Sequence, residues 1–145
     1  MAYSDSGRKF WHVDLSTRAG ALSAAKQGAL GCFVFCGMAV LGFFLLGGMA
    51  GFNTPEGVAV MVGAGLELVV GLIAGFRLRA GKGAFWGMAV ALLLVGEGFS
   101  KIMALSFGGL IIVGFLLITV INGVRGAWAL RGNDAFADDD AEAFS

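Results

Sequence analysis

The stretch VAVMVGAGLELVVGLIAGF (residues 58–76) contains one charged residue, Glu67, at its centre. Nine hydrophobic or glycine residues flank this glutamate on each side. A helix needs about 17–25 apolar residues to cross the roughly 30 Å hydrocarbon core of a bilayer. The stretch therefore predicts a membrane-spanning helix, and it raises the question of what a carboxylate does in the middle of one.

Three further apolar runs of similar length occur, at about 28–52, 84–104 and 108–124. The 145-residue chain is 58% hydrophobic and 14% charged, whereas soluble domains have roughly 45–50% apolar and about 25% charged residues. Because backbone groups in lipid must satisfy their own hydrogen bonds, such runs form helices. The runs lack the period-two alternation of a membrane barrel strand. The sequence predicts an all-α integral membrane four-helix bundle over residues 28–124.

The basic residues predict the orientation of these spans. Of the ten Lys and Arg residues, only Lys101 falls on one side, and the others fall before the first span, in the turn at 77–83, or after residue 124. Loops rich in Lys and Arg remain in the cytoplasm, and Trp is enriched at the membrane boundary, where Trp86 falls. We expect a multi-pass protein of the cell inner (plasma) membrane with both termini cytoplasmic.

The two ends of the chain are polar. Residues 1–27 predict an amphipathic helix lying along the lipid headgroups, because Trp11, Leu15 and Leu22 share one helical face. Residues 125–145 include the acidic segment NDAFADDDAEAFS, which lacks the spacing of a calcium-binding loop. We interpret this tail as solvated and disordered.

The turn FRLRAGKG (76–83) concentrates positive charge at the predicted cytoplasmic boundary. Membrane topology alone accounts for such a cluster, and anionic lipid headgroups are the alternative reason for it. The residues predicted to contact headgroups are Arg77, Arg79, Lys82 and Trp86.

An internal repeat is suggested by two pairs of similar segments. GMAVLGFFLLGG (37–48) resembles GMAVALLLVGEG (87–98), and LIAGFR (72–77) resembles VINGVR (120–125). The offsets of 50 and 48 residues correspond to one helical hairpin that occurs twice in the same orientation. Shared glycine- and alanine-rich composition is the alternative explanation.

Glycines spaced by four residues predict close helix packing. Lipid chains give helices no hydrophobic reason to associate, so small residues that allow close backbone approach supply the van der Waals contact. The glycines predicted to pack are Gly71 with Gly75, Gly83 with Gly87, and Gly47 with Gly51. Contact with a second copy of the chain, or with another membrane subunit, is the alternative use of these faces.

The residue types that carry cofactor chemistry are sparse. Cys32 and Cys36 lie on successive helical turns with no histidine nearby, and His12 is the only histidine of the chain. Structural zinc takes four such ligands, so we interpret the cysteines as small packing residues in a reduced compartment. No nucleophile–base set or phosphate-binding loop is visible. The sequence predicts no catalysis, no metal or other cofactor, and no nucleic-acid partner.

Ionisable side chains within the spans are the strongest functional signal. A charge near a helix centre costs at least about 2.5–3.5 kcal/mol on insertion scales, so it usually faces protein or water. Glu97 and Lys101 have the i, i+4 spacing of a helical ion pair. Glu67 has no polar neighbour on its own helix, and the rise per residue places it at a depth near that of Glu97. We expect these three residues, together with Asn122 and Arg77, to form a sparse polar track.

Two functions are compatible with these features. In the first, the protein is a non-catalytic scaffold or accessory subunit that holds lipids, further copies of itself or other membrane subunits through its glycine faces. In the alternative, it is a proton, ion or small-solute transporter or channel that uses Glu67 together with the Glu97–Lys101 pair. The sequence slightly favours the scaffold, because one acid and one ion pair make a thin pathway.

Overall fold

The fold is a bundle of four helices. The computed structural model describes Val13 and residues 15–132, which form α1 (Arg18–Ala50), α2 (Pro55–Arg79), α3 (Ala84–Met103) and α4 (Phe107–Ala129). The described residues contain no strand. Each helix is long and apolar enough to cross a membrane. The predicted four-helix bundle is confirmed.

The helices form a ring in which α1 packs against α2 and α4, and α3 packs against α4 and, less closely, against α2. Large apolar side chains cover the outer surface, among them Phe44, Leu92 and Ile111 at 64%, 71% and 74% exposure. A water-soluble monomer rarely presents such a continuous apolar surface. Lipid chains are as apolar as these side chains, so a bilayer is the solvent that suits this outer surface.

Helix α1 is longer than the apolar run that predicts it. It begins at Arg18, ten residues before the predicted start at 28, and Thr17 caps it by accepting a hydrogen bond from the Gly20 N–H at 3.1 Å. Its 33 residues extend about 50 Å at 1.5 Å per residue. The helix therefore exceeds the roughly 30 Å of bilayer hydrocarbon.

The first turns of α1 pack against the end of α4. Ala21, Ala24 and Ala25 are buried, and Gly126 of α4 lies against all three. Residues 18–27, predicted to belong to a separate helix on the headgroups, are thus continuous with the first span. Residues 1–12 and 14, which include Trp11 and His12, lie outside the described residues, as does the tail from residue 133.

Short turns join the helices at their ends. Thr54 caps α2 by accepting from the Gly57 N–H at 3.0 Å, while its own hydroxyl donates to the Ala50 and Gly51 carbonyls at 2.8 Å. Pro55 follows as the first residue of α2, a position that suits its fixed φ and its missing N–H. The proline that interrupts the hydropathy therefore starts the second span.

The closest helix contact joins α1 and α4. The backbones of Gly28 and Gly123 meet so directly that a Cβ atom on either one would overlap the Cα atom of the other. On the neighbouring face of α1, Gly75 of α2 lies against the Phe33 ring, and Phe33 stacks edge-on with Phe76 at a centroid distance of 5.3 Å. Helix α1 is therefore packed closely on both sides.

The predicted glycine rows divide into two groups. Gly71 lies against Cys36, Gly87 lies between Leu78 and Val124, and Gly47 lies against Phe52. Gly51 and Gly83 instead lie outside the helices, with φ of +84° and +112°. Both end or start a helix in a backbone conformation that favours glycine, so for these two residues a turn, not a helix row, explains the glycine.

The hairpins α1–α2 and α3–α4 have the order that the internal repeat predicts. However, Gly75 and Gly123, which the repeat makes equivalent, both contact α1. If an axis related the two hairpins, α1 would correspond to α3 and α2 to α4. Gly75 of α2 would then contact α3, just as Gly123 of α4 contacts α1. The repeat remains a prediction that the packing does not reproduce at this position.

Candidate functional site

A partly open cavity of about 290 Å³ lies between the helices, and residues of all four helices line it. Glu67 of α2 and both Glu97 and Lys101 of α3 line it, and these are the charged residues among the described residues of its wall. The remaining wall is apolar or small, and it consists of Phe35, Met38, Ala39, Gly42, Leu46, Val60, Gly63, Ala64, Leu94 and Val113.

Helical spacing directs the charged side chains into this cavity. On α2, Val60, Ala64 and Glu67 follow one another at four and three residues and share one face. The neighbours Leu66 and Val69 are 54% and 56% exposed on the outer surface. Glu67 therefore faces protein and not the acyl chains, as the insertion energy of a carboxylate requires.

The predicted ion pair of α3 forms within the cavity. Lys101 Nζ lies 3.5 Å from Glu97 Oε2, and the two side chains are 34% and 36% exposed. The cavity wall therefore carries two carboxylates and one ammonium group among its described residues. When Lys101 pairs with Glu97, the cavity wall has no second described cation to pair with the Glu67 carboxylate.

This arrangement suits a single positive charge. A water molecule occupies about 30 Å³ in the liquid, so the cavity has room for about ten waters or for one small solute. The side chains on its wall that could bind a metal are the two carboxylates of Glu67 and Glu97. Among the described residues, no group of three His, Cys, Asp or Glu side chains is placed to hold a metal ion. A proton or a small monovalent cation fits this chemistry better than a structural zinc ion does.

Other polar residues of the predicted track lie elsewhere. Asn122 is buried in α4 at 8% exposure and is not one of the cavity-lining residues. Arg77 is exposed at the end of α2. The structure thus brings together three of the predicted polar residues and does not join them to the other two.

A second cavity lies at the end of the bundle that carries the start of α1, the α2–α3 turn and the end of α4. We call it the basic pocket. It has a volume of about 850 Å³, and it is lined by Arg18, Arg77, Lys82 and Arg131 together with Leu22, Ala80, Gly81, Gly83, Leu130 and Gly132. Of the four predicted headgroup residues, Arg77 and Lys82 line it, whereas Arg79 does not and Trp86 packs against the apolar core.

Sequence reasoning missed Arg18 and Arg131 as members of this pocket. They lie in segments separated by 113 positions, and each flanks the end of a different apolar run. The signal available in sequence was that the positive-inside pattern places all these segments at one membrane surface. That pattern gives a common level in the membrane but not a common pocket.

The cysteines lie inside the helix packing. Cys32 and Cys36 are both free and buried, and Cys36 Sγ lies 3.7 Å from the Leu68 carbonyl oxygen of α2. Small side chains at this position let α1 approach Gly71. Their observed contacts are those of packing residues.

Four apolar helices with an apolar outer surface define a multi-pass membrane protein. No protein-family model, curated protein or solved structure matches this chain.

Proposed function

We propose that this protein is a small transporter or channel that carries a proton or a small cation across the membrane, with Glu67 as the group that binds it. The observation that supports this proposal is the cavity between the spans, which is lined by Glu67 and by the Glu97–Lys101 pair. A bundle that only had to fold would gain nothing from a carboxylate at this depth, because burial of a charge is unfavourable.

The charges give each residue a role. With Lys101 held by Glu97, Glu67 attracts one positive charge from outside the cavity. Lys101 also lines the same cavity as Glu67, so it competes with the incoming cation whenever the Glu97 pair opens. This competition keeps the site from retaining its cation too tightly, which release requires.

The packing offers a way for the cavity to open. α2 and α3 make close contact where Leu78 lies against Gly87, near the turn that joins them, whereas the cavity separates Glu67 from Glu97 farther along the same two helices. Gly42 and Gly63 line the cavity, and neither has a neighbouring atom within 4 Å of an added Cβ. These smooth faces permit rocking of one helix against another.

Transport is tested with purified protein in liposomes that contain a pH-sensitive dye, with Na⁺ or K⁺ as the counter-ion. We expect the wild type to dissipate an imposed pH or cation gradient and the Glu67→Gln variant to lose this flux. The matched control is Glu56→Gln, which removes an exposed acid from the first turn of the same helix. Equal flux in wild type and Glu67→Gln, or no wild-type flux above protein-free vesicles, would exclude the proposal.

A second candidate function is that of a scaffold or accessory subunit. Several glycines away from the cavity have no atom within 4 Å of an added Cβ, namely Gly37, Gly48, Gly65, Gly96, Gly108 and Gly114. Glycine on the outer face of a spanning helix allows the backbone of another helix to approach. The partner would be a second copy of the chain or another membrane subunit.

The scaffold proposal makes the opposite prediction for Glu67. Assembly measured by mass photometry or native mass spectrometry in detergent should survive Glu67→Gln and weaken when Gly65 is replaced by Leu. A monodisperse monomer in mild detergent and in nanodiscs would exclude self-assembly.

For the orientation, we propose that the end with the basic pocket faces the cytoplasm and that the protein resides in the plasma membrane. The distribution of Lys and Arg supports this assignment, because basic loops remain on the cytoplasmic side. Trp128 is 58% exposed at the same end. An exposed tryptophan in this position is typical of the membrane–water boundary.

A further inference from the structure

We infer that the basic pocket is a binding site for a phosphate-bearing anion, and that the phosphate headgroup of an anionic membrane lipid is its ligand. This inference is independent of the proposed transport function, because the pocket and the Glu67 cavity share no lining residue. It extends the headgroup contacts predicted for the α2–α3 turn to a defined pocket with contributions from both ends of the described chain.

The pocket gathers cations from separate parts of the chain. Arg18 opens α1, Arg77 lies in the last turn of α2, and Arg131 follows α4. Lys82 completes the set from the α2–α3 turn, whose Gly81 and Gly83 have positive φ. A concentration of charge that only oriented the protein would not need to surround one concave volume.

The chemistry of these side chains suits phosphate. The guanidinium group of arginine donates hydrogen bonds in a planar fork that matches phosphate oxygens, while lysine contributes a compact charge. Arg18 stands at the N-terminus of α1, where the helix dipole also favours an anion. The charged residues among the described lining of the pocket are all basic, so this part of the wall favours a phosphate dianion.

The surroundings of the pocket favour a lipid over a soluble phosphate. Leu22 and Leu130 contribute apolar walls, and both lie beside Gly81 of the turn. Trp128 is exposed at this end, with the Arg131 guanidinium 5.6 Å from its ring centroid. A volume of about 850 Å³ greatly exceeds that of a phosphate ion and leaves space for a glycerol backbone.

The test is native mass spectrometry of the full chain in neutral detergent. The probes are phosphatidic acid, phosphatidylcholine of the same acyl length, and inorganic phosphate. We expect one saturable phosphatidic acid site and no comparable phosphatidylcholine site. Competition by inorganic phosphate at equal concentration would show phosphate chemistry with a soluble source, whereas failure to compete assigns the site to the lipid.

A pair of charge-matched variants separates the pocket from general surface charge. Arg77→Gln with Arg131→Gln removes two pocket cations, and at about fivefold per charge it should weaken phosphatidic acid binding about 25-fold. Arg79→Gln with Arg125→Gln removes the same charge from exposed positions outside the pocket and should retain most of the affinity. Unchanged melting temperatures confirm that both variants fold.

Three results would overturn the inference. Equal losses in the two double variants would show diffuse attraction without a pocket. Equal binding of phosphatidylcholine would exclude recognition of the exposed phosphate. Binding that appears only after deletion of residues 133–145 would assign the pocket to the acidic tail. The Glu67→Gln variant should bind phosphatidic acid as the wild type does, so this test and the transport test fail independently.

Discussion

The contact between Gly28 and Gly123 predicts a large penalty for the smallest possible side chain. A methyl group added by Gly123→Ala would overlap the Gly28 Cα atom and would lie 3.1 Å and 3.4 Å from the backbone N and C atoms of Gly28. Carbon atoms pack best about 3.5–4.0 Å apart. The obstacle is backbone and cannot rotate away, so α1 and α4 must separate at their crossing.

The expected magnitude follows from overpacking. Inserting a methylene-sized group into a well-packed core typically costs about 1–3 kcal/mol. We expect this loss in the free energy of unfolding of Gly123→Ala. On the same helix, Gly114 has no atom within 4 Å of an added Cβ, so Gly114→Ala meets no obstacle and gains the helix preference of alanine, up to about 1 kcal/mol.

Unfolding by increasing mole fractions of SDS in mixed micelles, followed by circular dichroism, measures both free energies. The double variant Gly28→Ala with Gly123→Ala adds a cycle, because two contacting sites should be non-additive. Its loss should be smaller than the sum of the single losses, since the first methyl group already separates the helices. Equal stability of Gly123→Ala and Gly114→Ala would show that α1 and α4 do not cross at these glycines.

Two further predictions concern the buried polar groups. Lys101→Met should lower the free energy of unfolding by up to about 3 kcal/mol, because it leaves Glu97 without its cation within the bilayer. Adding Glu97→Gln should recover most of that loss in the same SDS titration, and no recovery would mean that the loss does not arise from an unpaired Glu97. The thiols of Cys32 and Cys36 are buried at 0% and 5% exposure, so they should react with maleimide far more slowly in folded protein than after denaturation. Equal rates in the two states would contradict the packing of α1.

The membrane-spanning helices could be predicted from hydropathy because every turn of a helix within the bilayer must present apolar side chains. Helix α3 ends within a residue of its predicted bounds, and α2 and α4 extend each predicted run by up to five residues. The start of α1 could not be read in this way. The residues before 28 are less hydrophobic than those after it, so the apolar run begins there. The helix nevertheless begins at Arg18, because Ala21, Ala24 and Ala25 pack on α4.

The candidate site was partly predictable for a similar reason. The i, i+4 spacing gives the Glu97–Lys101 pair directly, and counting the rise per residue places Glu67 at a similar depth. Depth does not specify rotation about the helix axis or the neighbouring helix. The position of Asn122 outside the cavity, the meeting of Gly28 with Gly123, and the convergence of Arg18 with Arg131 depend on those two quantities, so they required coordinates.

Glu67 faces a cavity between the helices of a membrane-embedded bundle, and Glu97 and Lys101 line the same cavity. Spin labels at single cysteines at residues 66, 67 and 69, in a Cys32→Ala and Cys36→Ala background in liposomes, test this central claim directly through collision rates with oxygen, which concentrates in lipid. We predict high oxygen accessibility at 66 and 69 and low accessibility at 67. An accessibility at 67 equal to that of its two neighbours would place the side chain among the acyl chains and contradict the claim.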